Sequence, residues 1–287
     1  MLKNSFFKLV LSYFVADLLY FLEFSLFMRC RKYGVFNSLL NPNSTLFQIL
    51  PLFSNSFHYY MKICIYLGQI LFACNRLSSA IFLMNYEKYW NWQIIWFFRA
   101  VQFILPLFFV IPVSPVVNGI FGTVFRAYYL FSDDKQMLRL TTDELSTALI
   151  AYIDCSFCAT VTMICLIMYT LTLVTLRSHQ RNKRKSMSGT ELRLLASSML
   201  TFLILAFNCV VQVMMILASN MGIKSILFVN DLSYPVNDLM YSCQPWALLL
   251  TSSVIRQRLW GLVARREPTS TNIVDQQVRR CQIDYIA

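Results

Sequence analysis

The chain has 287 residues, 57% of them hydrophobic and 14% charged, with a formal net charge of +11. A soluble domain carries about 25% charged residues, so an ordinary water-soluble core is excluded. Seven glycines and eight prolines are too few for a collagen-like or disordered chain. In lipid only helices or closed barrels satisfy their own backbone, and the apolar stretches here are too long and unbroken to be strands. The expected fold is all-α, a polytopic membrane bundle of six transmembrane helices.

The six stretches that reach the ~20 residues needed to cross a hydrocarbon core are 5–28, 57–83, 93–113, 146–176, 192–219 and 232–254. The first follows Lys3 closely and holds Lys8, Asp17 and Glu23 without a small-residue cleavage site, so it reads as a retained helix rather than a signal peptide. The connection after it carries Arg29, Arg31 and Lys32, then Asn43-Ser44-Thr45, a glycosylation acceptor if that loop is lumenal. The second stretch holds Lys62 and ends in NRLSSAIFLMNYEKYW, residues 75–90. Trp90, Trp92 and Trp96 open the third and read as an interfacial aromatic belt.

The connection 114–145 contains Asp133, Asp134, Asp143 and Glu144 but no cysteine. The fourth stretch carries Asp154 and a C-x-x-C at Cys155 and Cys158. Inside an apolar helix such cysteines act as small hydrophobes rather than zinc or redox ligands. The loop 177–193 is basic, with Arg177, Arg181, Lys183, Arg184, Lys185 and Arg193. Within it, Ser188-Gly189-Thr190-Glu191 reads as a capping box for the fifth helix. The sixth holds Asp238 and Pro245, and the proline, lacking an N–H, is expected to bend it. Residues 254–263 read as a short interfacial helix closing a bundle of 1–263, and 264–287 as a polar cytoplasmic tail.

Short basic loops stay cytoplasmic. The loop 177–193, with Arg256, Arg258, Arg265 and Arg266, therefore puts both termini inside; Arg29, Arg31 and Lys32 oppose this but are outweighed. Attraction to anionic lipid accounts for the net charge, and no nucleic-acid partner is expected. Ionisable groups inside a membrane face a cavity or each other. Lys62, Asp154 and Asp238 fall in the outer halves of different helices. They read either as an outward-opening pocket for a small polar or amphiphilic ligand, or as a structural ion pair between helices.

Asn75-Arg76-Leu77 resembles the Asp/Glu-Arg-Tyr motif that ends the third helix of rhodopsin-like G-protein-coupled receptors. More closely, residues 75–90 resemble the signature of nematode serpentine chemoreceptors of the gamma class, approximately N-R-x-T-S-x-x-F-P-x-x-Y-E-K-x-W. Asn75, Arg76, Ser79, Phe82, Tyr86, Glu87, Lys88 and Trp90 match, and Leu83 stands where the family has proline. Residues 14–19 resemble the L-A-x-A-D-L run of a receptor's second helix, and Gln244-Pro245 stands where receptors carry Asn-Pro.

In that register the fold is a seven-helix receptor lacking helix one. The resemblance implies detection of an odorant or pheromone, signalling to a heterotrimeric G protein, and residence in the plasma membrane or cilium of sensory neurons. It implies a switch in which Arg76 is held at rest by an acidic group, Glu191 being the candidate. It also implies that Asp17 holds a sodium ion and couples to the Pro245 helix.

A small-molecule transporter subunit, or a non-signalling truncated receptor form, is the alternative. No enzyme is expected. His58 and His179 are the only histidines and lie far apart, and no phosphate-binding glycine loop, G-x-S-x-G or H-E-x-x-H occurs. No cofactor is implied.

Overall fold

The computed structural model describes residues 3–30, 35, 45–82, 86–111, 127–132, 137–142, 144–181, 189–219, 223–251 and 260. Six long helices dominate these residues. They are α1 (Lys3–Glu23), α2 (Thr45–Ile81), α4 (Trp92–Val110), α5 (Glu144–Arg181), α6 (Gly189–Ser219) and α7 (Ile223–Thr251), with a short α3 (Tyr86–Tyr89) between α2 and α4. A π-helical turn, Phe24–Arg29, continues α1.

Side-chain contacts set the helix directions. Tyr13 meets Phe72 while Glu23 meets His58, so α1 and α2 run antiparallel. Lys62 meets Asp154 and Cys74 meets Met168, so α5 runs parallel to α2. Arg76 meets Ser198 and Tyr66 meets Asn208, so α6 runs against it. Arg99 reaches Leu9 and Gln102 reaches Cys64, which fixes α4 as parallel to α1. Phe24 meets Tyr234 and Phe21 meets Tyr241, which sets α7 against α1. The direction therefore alternates from each long helix to the next. One end of the bundle carries Arg76 and the start of α6; the other carries Glu23 and the start of α2.

Helix α2 is the hub, touching α1, α4, α5 and α6. Its 37 residues span roughly 55 Å at the α-helical rise, well beyond a hydrocarbon core. It starts at Thr45, twelve residues earlier than the hydrophobic run at 57, and passes through Pro51. Helix α7 likewise starts at Ile223, not 232, and continues through position 245. In both helices the added residues mix apolar with polar side chains.

The connection 114–145 holds an antiparallel hairpin of β1 (Ala127–Ser132) and β2 (Met137–Thr142), with Tyr129 opposite Leu140, which the all-α expectation did not include. Strand β1 lies against α2. The other regular elements among the described residues are helical, as expected for a membrane bundle. Of the interfacial helix expected at 254–263 only Trp260 falls among the described residues, and Asn43 and the tail 264–287 lie outside them.

The bundle exposes large apolar side chains and buries, within a mainly apolar core, a set of polar and charged ones. On α4, Arg99 and Gln102 are buried while Trp96, Phe97 and Phe108 are exposed, Phe108 at 68%. Water penalises that arrangement and lipid favours it. Helices α4, α5 (over Ile150–His179) and α6 (over Leu195–Ala218) are long and apolar enough to cross a membrane. The exposed Thr160 and Thr170 of α5 return their hydroxyls to the carbonyls of Ser156 and Leu166, each at 2.8 Å, so neither would meet lipid unsatisfied. Helix α4 opens on an Asn91 cap that accepts from the Ile94 N–H at 2.9 Å.

Candidate functional site

At the Arg76 end, the stretch 75–90 folds back on α2. The Asn75 amide donates to the Tyr86 hydroxyl at 2.5 Å, and the Trp90 indole donates to Ser78 Oγ at 2.6 Å. Ser78 in turn donates to the carbonyl of Cys74 at 2.8 Å. Two turns of α2 thus hold both ends of the short segment that contains α3. Trp90 is buried against Leu9, Tyr86 and Ile95, so it is not part of an interfacial belt. Trp92 and Trp96 are exposed and meet edge to face at 5.2 Å, consistent with that role.

Arg76 is only 9% exposed, and its Nε donates to Ser198 Oγ on α6 at 3.1 Å. It is drawn across the helix interface rather than outward to the membrane surface. The Glu191 side chain, the expected partner, lies outside the described residues, as do those of Gln244 and Pro245.

Nearer the bundle centre, Lys62 of α2 forms a buried ion pair with Asp154 of α5. Tyr66 donates to the free Asp154 oxygen at 3.1 Å and accepts from Asn208 of α6 at 2.8 Å. The Gln212 amide, with its nitrogen toward Asp154 and its oxygen toward Lys62, lies 3.0 Å from each. Three helices are therefore joined by one satisfied network. Removing one member of such a buried pair costs about 3–5 kcal/mol, because the other charge is left uncompensated.

Asp238 does not join this group. It pairs with Arg29 at the end of the π-helical turn and accepts from Tyr241 on its own helix, with about a third of the Arg29 and Asp238 side chains exposed. The three charges, read from sequence as one pocket or as a structural ion pair between helices, thus belong to two clusters, and Lys62 with Asp154 is such a pair. Arg29, which counted against the assigned orientation, has a carboxylate partner there.

The sequence reading missed three features. Glu23 and His58 form a buried contact at 3.1 Å. Arg99 donates to the Leu9 carbonyl and, at 2.7 Å, to Gln102. Tyr66, Asn208 and Gln212 complete the Lys62 network. A signal was available: Lys62 and Tyr66, Asp154 and Cys158, and Asn208 and Gln212 are each four apart, one face of an apolar helix. Arg99 inside an apolar run carried its own flag.

Asp17 is buried, and neither carboxylate oxygen has a hydrogen-bond partner among the described residues. A buried carboxyl in that state takes either a proton or a small cation. No group of three or more His, Cys, Asp or Glu side chains able to hold a metal occurs among the described residues. The eight described cysteines are free thiols.

A model of the Srg family chemoreceptors matches residues 1–259. The chain belongs to the Srg chemoreceptor family. No curated protein and no solved structure matches it. Membership in the Srg family makes this an integral membrane protein of a receptor family, not of an enzyme family. The buried charged groups of this Srg chain, with large apolar residues exposed around them, agree with that assignment.

Proposed function

We propose that this Srg chain is a chemosensory receptor that takes a small molecule at the Glu23 end and signals to a heterotrimeric G protein at the Arg76 end. All six long helices cross the membrane in this reading, since their directions alternate and the less apolar α1 and α2 bury Asp17, Glu23, Lys62 and Arg76. The basic loop 177–193 sets the Arg76 end in the cytoplasm, with residues 1–263 as the receptor bundle and 264–287 as a cytoplasmic tail. The plasma membrane or cilium of sensory neurons follows from the family's chemosensory role.

One observation carries the proposal: Arg76, buried at the cytoplasmic end of the hub helix, is bonded to α6 beside a loop clamped by Asn75 and Ser78. Outward movement of α6 would break the Ser198 contact and release Arg76 to a partner. Glu191, in the first turn of α6, would be a further acceptor for Arg76. Asp17 would hold the sodium ion that the receptor resemblance implies, and Pro245 would supply the bend at which α7 adjusts. Lys62 and Asp154 brace the floor of the ligand site; Asp238 with Arg29 lies at its mouth.

Co-expression with a G-protein activation reporter and exposure to a panel of volatile and water-soluble odorants tests this. Ligand-dependent activation that disappears in Arg76→Gln at equal surface level is the expected result. Uptake of a labelled compound without G-protein activation would make the chain a transporter instead.

A further inference from the structure

A second cluster at the Glu23 end has no place in the network described above. Glu23 of α1 meets His58 Nδ1 of α2 through Oε2, while its Oε1 is buried without a hydrogen-bond partner among the described residues. Three more buried polar atoms there also lack one: Tyr20 Oη, Ser54 Oγ and Asn237 Oδ1. Ser54 lies one turn before His58 on the same face of α2, and Asn237 lies between Tyr234 and Tyr241 on α7. Tyr20 packs on His58 at 5.4 Å and on Tyr241 at 5.6 Å. Phe24 packs on Tyr234 at 5.3 Å and on His58 at 5.9 Å. Three helices thus bring four unsatisfied polar atoms to one aromatic-walled junction.

Buried polar atoms are nearly always hydrogen-bonded, so four orphans together mark a place where a ligand completes the bonding. Their chemistry selects it. Glu23 Oε1 and Asn237 Oδ1 only accept, and the two hydroxyls can accept. Among the described residues, the ion pairs from the bundle centre to this end set three carboxylates (Glu23, Asp154, Asp238) against two permanent cations (Lys62, Arg29). Lys62 and Arg29 are committed to Asp154 and Asp238, which leaves the Glu23 charge with only an imidazole. Aromatic faces also stabilise cations. A donor-rich cation fits all four observations, whereas an anion would add to the excess.

We infer that the α1–α2–α7 junction binds the ammonium group of a small arylalkylamine, with Glu23 as its counter-ion and Tyr20, Ser54 and Asn237 as further acceptors. This rests on the reading of the chain as a small-molecule receptor and supplies the ligand's chemical class.

The test uses the full chain in lipid nanodiscs, with 2-phenylethylamine as probe and 2-phenylethanol and 3-phenylpropanoate as its neutral and anionic counterparts. The thermal midpoint is read directly, so no G protein is needed and a signalling failure cannot be mistaken for a binding failure. The amine alone should raise the midpoint. Glu23→Gln, which keeps an acceptor for His58, should weaken the apparent affinity roughly tenfold or more, as expected for a lost charged hydrogen bond. Tyr20→Phe, which removes one hydroxyl and preserves the ring packing, should weaken it about threefold, as for a neutral one, and decides the matter if Glu23→Gln does not fold. An equal rise with the alcohol, a preference for the carboxylate, no rise with any probe, or full affinity in the variants would each overturn the inference.

Discussion

Single side chains at the Arg76 end decide how the helices are held. The bond from Arg76 to Ser198 is charge-assisted on one side only, and a hydrogen bond to a charged group is worth about 1.5–3 kcal/mol. Ser198→Ala should therefore release α6 and raise ligand-independent G-protein activation severalfold, read with the same reporter at matched surface level. Basal activation unchanged in Ser198→Ala would show that this bond does not hold the resting state. The clamps on the following loop are hydrogen bonds of Asn75 and Ser78 to Tyr86 and Trp90. These explain physically why the matching motif spans sixteen positions: its two halves bond to each other.

Between whole elements, side chains of α1 and α4 close tightly on α2 at Gly68. A Cβ there would overlap the Tyr13 ring and come within 2.9 Å of Gln102 Nε2. Tyr13 is also fixed by the Gln69 amide at 2.6 Å, and Gln102 by the Cys64 carbonyl at 2.9 Å, so neither can retreat without losing a bond. Gly68→Ala should destabilise the bundle by roughly 1–3 kcal/mol, the usual cost of overpacking. A lower thermal midpoint in nanodiscs would register it; an unchanged midpoint would mean that α1 can slide. Helix α4 shows the same dependence: its Arg99 and Gln102 are tolerable because Leu9 and Cys64 offer carbonyls on α1 and α2.

For the whole molecule, the alternating directions and the basic 177–193 loop predict that both termini are cytoplasmic. Epitope tags at the two ends should bind antibody only after permeabilisation. An N-terminal tag reached in intact cells, with the C-terminal tag hidden, would require an odd number of spans and overturn the six-helix reading. Enzymatic deglycosylation provides a matching sign: a mobility shift lost in Asn43→Gln would put the α1–α2 connection in the lumen or outside.

The sequence by itself determined the membrane class, the helical architecture, the approximate positions of the long helices and, through residues 75–90, the family. These properties are local: hydrophobicity over some twenty residues is a property of one segment, and a motif is read along one chain. The tertiary structure decided the pairings. Lys62 meets Asp154, Asp238 meets Arg29, and Glu23 meets His58, at sequence separations of 92, 209 and 35. It also turned Trp90 inward, gave Arg76 a serine as a partner and formed the hairpin on α2. Each of these depends on how one helix is rotated against another. In a bundle whose segments are apolar almost all round, hydrophobic periodicity does not set that rotation; the sparse polar groups do, by finding partners that only assembly brings within reach.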